Sequence, residues 1–101
     1  MKIVNATPHA ININGNCLEP CGKIARVEQN NIKINTIDGI DIFKSVFGNV
    51  VDLPDKEEDT IYIVSALVRS ACTDRKDIFS PSDFIRDSAG NITGCKGLIS
   101  N

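Results

Sequence analysis

Short runs of Ile, Val and Thr, separated by Gly, Asn, Asp and Pro, make up the chain from residue 2 to residue 53. Branched aliphatic side chains favour extended backbone, and the separating residues favour turns. Several runs alternate between apolar and polar positions, as in residues 10–14, where Ile11 and Ile13 alternate with asparagines. Such alternation is typical of strands with one buried face. We therefore predict that the first half of the chain is β-structure.

Turn signals divide this half into strands. Asn14-Gly15 and Asp38-Gly39 are pairs that supply the left-handed backbone of a two-residue hairpin turn. Asn30-Asn31 is expected to turn the chain as well, between one strand that ends near residue 28 and another that begins at residue 32. Strands joined by tight turns are neighbours in the sheet, so the pattern predicts an antiparallel meander.

The segment from Thr60 to Val64 is the most strand-like part of the chain, and we expect it at the centre of the sheet. Directly after it the apolar spacing becomes helical, with Ser65 placed as an N-cap. This spacing predicts one short helix near residues 66–73. Residues 80–82 are expected to form a loop, and residues 84–86 and 91–93 the two strands of a terminal hairpin.

Together these elements predict an α+β domain that is mainly β. It would consist of an antiparallel meander sheet, open or curled toward a barrel, with the one short helix packed on it. The length of 101 residues is typical of one domain, and we expect residues 1–101 to form it. A composition of 42% hydrophobic and 24% charged residues is that of a globular protein.

The charge and the apolar runs narrow the choice of partners and compartment. The net charge of −2 is unlike that of proteins that bind nucleic acid by neutralising phosphates. No apolar run approaches the roughly 20 residues of a membrane helix, and the first residues do not form the core of a signal peptide. We therefore expect a cytoplasmic protein with neither a nucleic-acid nor a membrane partner.

The cysteines and the single histidine are the residues that could ligate a metal or supply a nucleophile and its base. Cys17 and Cys21 are separated by three residues rather than the usual two, and Cys72 and Cys95 are isolated in the sequence. Cys72 falls on the apolar side of the predicted helix, where a thiol packs. We predict no metal, no cofactor and no catalytic residue, with an enzyme that uses Cys95 or His9 as a less favoured alternative.

A set of cationic and polar residues is the best candidate for a ligand site. Guanidinium groups bind phosphates and carboxylates, and loops at strand ends often carry binding residues. The predicted ligand-binding residues are Thr7, His9, Ser65, Arg69, Arg75 and Arg86. The alternative is local pairing, of Arg75 with Asp74 or Asp77 and of Arg86 with Asp87.

Four stretches of the chain carry a family resemblance. They are Asn5-Ala-Thr-Pro-His9, Phe47-Gly-Asn-Val-Val-Asp-Leu-Pro-Asp55, Thr60-Ile-Tyr-Ile-Val-Ser65, and Arg86-Asp87 with the following Gly90-Asn-Ile92 and Gly94-Cys95-x-Gly97-Leu98. With these stretches the chain resembles a family of small proteins of bacteria and their phages. The resemblance implies an intracellular accessory protein encoded by a phage or prophage. Some small phage proteins are anti-defence binders that sequester nucleotide-derived immune signals, frequently as homo-oligomers.

Two functions are therefore expected. The first is a non-enzymatic module that binds a small anionic, nucleotide-like ligand through the arginines. The alternative is a protein-interaction or structural module that acts through its sheet edges and through self-association. In that alternative, Phe43, Phe47 and Phe79 would contribute to the contact surface.

Overall fold

The computed structural model describes residues Met1 to Asn101, which form eight strands and one short helix. The strands are β1 (Lys2–Asn5), β2 (Ile11–Ile13), β3 (Asn16–Leu18), β4 (Arg26–Ile37), β5 (Ile40–Val51), β6 (Thr60–Ile63), β7 (Ile78–Arg86) and β8 (Ile92–Ile99). The helix α1 spans Ala66–Ala71. The predicted α+β class, mainly β with one short helix, is thus confirmed.

Six strands form one sheet, in the order β1-β6-β7-β8-β2-β3. β6 pairs in parallel with both β1 and β7, and β2 pairs in parallel with β8, whereas the β7–β8 and β2–β3 pairs are antiparallel. The sheet is therefore mixed, which corrects the predicted antiparallel meander. The physical reason is that α1 carries the chain from the end of β6 back to the start of β7, and such a crossover makes the two strands parallel.

The six-stranded sheet curls until its two edges nearly meet. Asn5, at the end of β1, forms a parallel bridge with Pro20, which lies just beyond β3. The Cys21 N–H donates to the Asn5 carbonyl at 2.9 Å, and the Ala25 N–H donates to the Ala6 carbonyl at 3.0 Å. These bonds cover the edge of the sheet at the end of β1. The predicted curl toward a barrel is therefore present.

The hydrophobic core is small and lies between the sheet, α1 and the base of the hairpin formed by β4 and β5. Its buried residues are Ala6, Ala25, Tyr62, Val64, Val68, Cys72 and Ile78. Tyr62 and Val64 come from the predicted strand segment at 60–64, which lies inside the sheet because β6 has a neighbour on each side. Val68 is the one buried residue of α1, so the helix covers the sheet through a narrow stripe.

The ends of α1 are closed by side chains. The Ser65 hydroxyl accepts a hydrogen bond of 3.3 Å from the Val68 N–H, as expected of the predicted N-cap. At the other end the Asn101 side chain donates to the carbonyls of Arg69 and Cys72, at 2.8 and 3.3 Å. The helix ends at Ala71, two residues before the predicted limit.

No helix in the structure has the length and apolar character that crossing a membrane requires.

Two local predictions were wrong. Asn30-Asn31 does not turn the chain but lies inside β4, because both residues pair with β5 over a continuous register. Residues 80–82 are not a loop but part of β7, where Pro81 pairs with Leu98 of β8. A proline is tolerated there because pairing between β7 and β6 ends at Phe79, so no partner on that side requires its missing N–H.

Candidate functional site

The most unusual element of the molecule is a ribbon formed by β4 and β5 alone. These strands make a separate two-stranded sheet with no third strand on either edge. At its base, Val27 and Val50 are paired and pack against the core. At its tip, Asp38 and Gly39 have φ angles of 50° and 78°, which is the left-handed geometry of the predicted hairpin turn. The 12-residue strands extend the ribbon by about 40 Å.

Two bulges shape this β4–β5 ribbon. Near the base, Gly48 and Asn49 of β5 oppose the single residue Glu28 of β4. A Cβ atom on Gly48 would lie 3.3 Å from the Glu28 Cβ, so a glycine leaves room for this close approach. Further along, Ile34 is an extra residue of β4. Bulges bend and twist a strand, and they hinder the addition of further strands at its edge.

One face of the ribbon is held together by polar side chains. The Gln29 amide donates to the Ser45 hydroxyl at 3.0 Å, and this hydroxyl donates to the Asn31 side chain at 3.1 Å. The Lys33 ammonium lies 3.1 Å from the Asp41 carboxylate. These groups are exposed, and they satisfy one another within the chain.

The opposite face is rich in isoleucine. Cross-strand pairs on this face are Asn30 with Val46, Ile32 with Lys44, Asn35 with Ile42, and Ile37 with Ile40. Ile32, Ile37 and Ile40 are 52%, 55% and 65% exposed, and the bulge residue Ile34 is 60% exposed. We call the set Ile32, Ile34, Ile37, Ile40, Ile42 and Val46 the isoleucine face. No part of the chain covers it.

The size and shape of the molecule reflect this uncovered ribbon. A monomer of 11.0 kDa exposes about 5,600 Å² by the usual scaling of surface with mass, whereas this chain exposes 6935 Å². The radius of gyration is 16.5 Å, against about 13 Å for a compact domain of about 100 residues. Seven of the fifteen large apolar residues that are exposed lie on the ribbon, although its two strands contain only 24 of the 101 residues, 12 in each.

The three phenylalanines expected on a contact surface are not brought together. Phe43 and Phe47 lie on the polar face of the ribbon, paired with Lys33 and Gln29, and they are 55% and 50% exposed. Phe79 belongs to β7 in the body of the protein, where it is half-buried. Two of the three phenylalanines therefore lie on the ribbon, but on the face opposite the isoleucines.

Among the predicted ligand-binding residues, Thr7 and His9 lie in the loop after β1. Thr7 is buried, and its hydroxyl lies 2.6 Å from the Asn5 Oδ1 and 3.0 Å from the His9 carbonyl. The Asn5 amide donates to the carbonyls of His9 and Leu18, at 2.8 and 2.9 Å. The Asn5 side chain therefore organises this loop, a structural role that the sequence analysis missed. The His9 side chain itself is exposed.

Ser65 and Arg69 belong to α1 and are engaged within the chain. Ser65 caps the helix. The Arg69 Nε donates to the Ser80 hydroxyl at 2.8 Å, and its Nη1 donates to the Asn101 side chain at 3.1 Å. Arg69 is half-buried rather than free on the outer face of the helix. Its guanidinium joins α1 to β7 and to the end of the chain.

Arg75 forms a buried ion pair with Asp77, as in the alternative of local pairing. Its Nε and Nη2 donate to the two carboxylate oxygens at 2.8 Å each, and Nη2 also donates to the Pro54 carbonyl at 3.2 Å. The side chains of Arg75 and Asp77 are 22% and 7% exposed. These hydrogen bonds from Arg75 lower the pKa of Asp77, since they favour the charged carboxylate. The guanidinium also lies 5.9 Å from the centre of the Tyr62 ring.

Arg86 lies far from the other two arginines. It ends β7, eight residues beyond Ile78, which corresponds to about 26 Å along a strand. Its Nη1 donates to the Gly90 carbonyl at 2.9 Å, so it closes the β7–β8 turn rather than pairing with Asp87. The structure therefore does not bring Arg75 and Arg86 to one site.

One small cleft places cationic groups together. It has a volume of about 220 Å³ and is lined by Thr73, Arg75, Lys76, Ser100 and Asn101. Asn101 also accepts the hydrogen bond from Arg69, which connects that arginine to the rim of the cleft. No Asp or Glu side chain lines it, although Asp77 holds the Arg75 guanidinium beside it.

The cysteines and acidic residues do not cluster. Cys17 and Cys21 are exposed, Cys72 and Cys95 are buried, and all four are free thiols. No group of three or more His, Cys, Asp or Glu side chains is placed to hold a metal ion. The Cys17 thiol donates to the Glu19 carboxylate at 3.3 Å, and this hydrogen bond raises the pKa of Cys17. Burial raises the pKa of Cys72.

Comparison with protein-family models, with curated proteins and with solved structures gave no match. The arguments for function therefore come from the geometry of the ribbon and of the cleft.

Proposed function

We propose that this chain is a non-enzymatic protein-binding module that acts through the β4–β5 ribbon. The observation that carries the proposal is the isoleucine face, where Ile32, Ile37 and Ile40 are each more than half exposed. Exposed apolar residues gathered on one face are typical of protein-interaction sites. In addition, a two-stranded ribbon with no covering layer is only marginally stable in water. A bound protein would supply the missing layer.

The hydrogen bonds of the predicted ligand-binding residues also favour protein binding over ligand binding. The hydroxyls of Thr7 and Ser65 and the guanidinium groups of Arg69, Arg75 and Arg86 all have partners within the chain. A ligand would have to compete with these hydrogen bonds, and breaking the buried Arg75–Asp77 pair would cost about 3 kcal/mol or more. The ribbon requires no such rearrangement before it binds.

Site-specific photo-crosslinking in the organism that encodes the chain tests this function. A photoreactive benzoyl-phenylalanine replaces Ile40 on the isoleucine face, and the matched control carries it at Lys23, which is exposed in the body. We expect a defined protein adduct from position 40 and none of the same mass from position 23. Equal labelling at both positions, or no adduct at position 40, would overturn the proposal.

A second candidate function is binding of a small anion in the cleft beside Arg75. The observation that favours it is a cavity of about 220 Å³ in which Arg75 and Lys76 meet the polar groups of Thr73, Ser100 and Asn101, without an Asp or Glu side chain in the lining. A nucleotide-derived signal is the form of this ligand that the family resemblance implies. The anion would bind to Lys76 and to the outer edge of the guanidinium.

Thermal-shift titration separates this candidate from the first. The probes are inorganic phosphate, ADP and a cyclic dinucleotide, each tested on the unmodified chain, on Lys76→Ala and on Arg86→Ala. A ligand of the cleft should raise the melting temperature of the unmodified chain and of Arg86→Ala but not of Lys76→Ala. If no probe shifts the melting temperature, the cleft is not an anion site.

A further inference from the structure

We infer that the occupant of the isoleucine face is a second copy of this chain, packed face to face in a two-fold symmetric dimer. This inference rests on the proposed function of the ribbon and names its partner. The ribbons of the two copies run antiparallel to each other, so that each isoleucine face covers the other. In such an isologous contact the same residues are used twice.

The exposed area is of the size that a dimer needs. The chain exposes 6935 Å², which exceeds the expectation for a monomer of its mass by about 1,300 Å². Stable interfaces bury about 800 Å² on each partner. The excess on one copy is therefore larger than the area that one side of a stable interface removes. The ribbon carries seven of the fifteen large apolar residues that are exposed, and no third strand pairs with it.

The geometry favours contact through the face rather than through the strand edges. Addition of a strand at an edge needs an uninterrupted row of N–H and C=O groups. The bulge at Ile34 interrupts the outer edge of β4, and the bulge at Gly48-Asn49 interrupts that of β5. The polar face, in turn, already satisfies its groups through the Gln29–Ser45 and Lys33–Asp41 contacts. Phe43 and Phe47 are also exposed on the polar face, but the isoleucine face carries more exposed apolar residues, namely Ile32, Ile34, Ile37, Ile40 and Val46.

A two-fold axis beside the Asn35–Ile42 pair would place the tip of one ribbon over the middle of the other. The Ile37–Ile40 pair lies two cross-strand pairs from this axis toward the tip, and the Ile32–Lys44 pair lies two pairs from it toward the base. The tip isoleucines of one copy would therefore cover Ile32 and the aliphatic part of Lys44 of the other.

The charges at the two ends of this contact are complementary. The turn residue Asp38 lies one step beyond the tip isoleucines, and in the antiparallel arrangement it approaches Lys44 of the second copy. Neither Asp38 nor Lys44 forms an ion pair within its own chain. The dimer would contain two Asp38–Lys44 ion pairs, one at each end of the contact. These two pairs would favour the antiparallel orientation.

Sedimentation equilibrium of the full chain tests the dimer. We expect a species of twice 11.0 kDa for the unmodified chain and a dimer dissociation constant at least 10-fold higher for Ile40→Lys. Phe43→Lys is the matched control, because Phe43 lies on the polar face of the same strand and its replacement should leave the dissociation constant within about two-fold. Circular dichroism of each variant confirms that it is folded. A monomeric unmodified chain, or equal dissociation constants for the two variants, would overturn the inference.

A charge exchange tests the orientation. Lys44→Glu places a carboxylate opposite Asp38 of the second copy and should weaken the dimer at least 10-fold, while the added replacement Asp38→Asn should recover most of the loss. Asparagine tolerates the left-handed backbone of this turn, so Asp38→Asn keeps the hairpin. Absence of recovery in the double variant would overturn the antiparallel arrangement. A monomeric chain that still gives a crosslink from position 40 to another protein would overturn the dimer and leave the proposed function standing.

Discussion

Arg75 and Asp77 are joined by two hydrogen bonds of 2.8 Å each, with the Asp77 side chain only 7% exposed. The pair lies where the loop after α1 enters β7, and the same guanidinium donates to the Pro54 carbonyl at 3.2 Å. One arginine thereby fixes two loops and the start of a core strand. Because the carboxylate is buried, its charge is stabilised only as long as the arginine remains in place.

This pair makes stability depend on pH in the acid range. The pKa of Asp77 is lowered in the folded chain, chiefly by the hydrogen bonds from Arg75, so its contribution is present above the ordinary aspartate pKa of about 3.9 and is lost as the pH falls below it. Arg75→Met should cost about 3 kcal/mol at pH 7 and less at pH 3, as measured by urea unfolding.

The control for this prediction is the exposed pair Arg26–Asp52. Its charged atoms lie 3.7 Å apart, with side chains 70% and 50% exposed. Arg26→Met should therefore cost less than about 1 kcal/mol at either pH. Equal losses of unfolding free energy for Arg26→Met and Arg75→Met would show that burial does not make the Arg75–Asp77 pair more stabilising than an exposed pair.

A second prediction concerns Asn5, which is 2% exposed. Its side chain donates to the carbonyls of His9 and Leu18 and accepts from the Thr7 N–H. Asn5→Ala would remove these partners of the Thr7 N–H and the Leu18 carbonyl and should cost about 2–4 kcal/mol of unfolding free energy. Asn12→Ala removes one exposed hydrogen bond of 3.3 Å and should cost less than about 0.5 kcal/mol. Chemical denaturation that ranks the two variants equally would contradict this role.

Local patterns predicted the elements of this fold well, because the information lies within a few residues. The Asp38-Gly39 turn, the Ser65 cap and the strand at residues 60–64 follow from backbone preferences and from spacing. Asn30-Asn31 was misleading because asparagine also occurs in strands whose polar face is in water. A strand, a helix and a second strand in succession, as at residues 60–80, also indicate that the two strands are parallel neighbours.

The long-range pairings and the candidate site could not be predicted in the same way. The alternation of isoleucines in β4 and β5 predicts a covered face, but the sequence does not tell which part of the chain supplies the cover, and here none does. The sequence allows two interpretations of Arg75, which are local pairing with Asp77 and ligand binding. Their burial, which decides between the two interpretations, depends on β6 and on the loop at Pro54, far away in the sequence.

A third prediction uses the four thiols. Cys17 and Cys21 are exposed, whereas Cys72 and Cys95 are 6% and 1% exposed. Two thiols should therefore react promptly with a disulfide reagent at pH 8 in the folded chain, and the other two only after unfolding. The hydrogen bond to Glu19 raises the pKa of Cys17, so Glu19→Gln should increase its thiolate fraction and its rate of modification. Peptide mass spectrometry of the labelled chain assigns each site, and prompt labelling of Cys95 would contradict the buried position.

The last prediction tests the pairing between β2 and β8, which are neighbours in the six-stranded sheet. A Cβ atom added to Gly94 would lie 2.9 Å from the Asn12 carbonyl oxygen, a backbone atom that cannot move without displacing β2. Gly94→Ala should therefore cost about 1–3 kcal/mol of unfolding free energy. Gly97→Ala is the matched control, since Gly97 lies in the same strand and nothing stands within 4 Å of its added Cβ. Thermal and urea unfolding should rank Gly94→Ala as clearly destabilised and Gly97→Ala as close to the unmodified chain; the reverse ranking would mean that β2 does not pack against β8 as described.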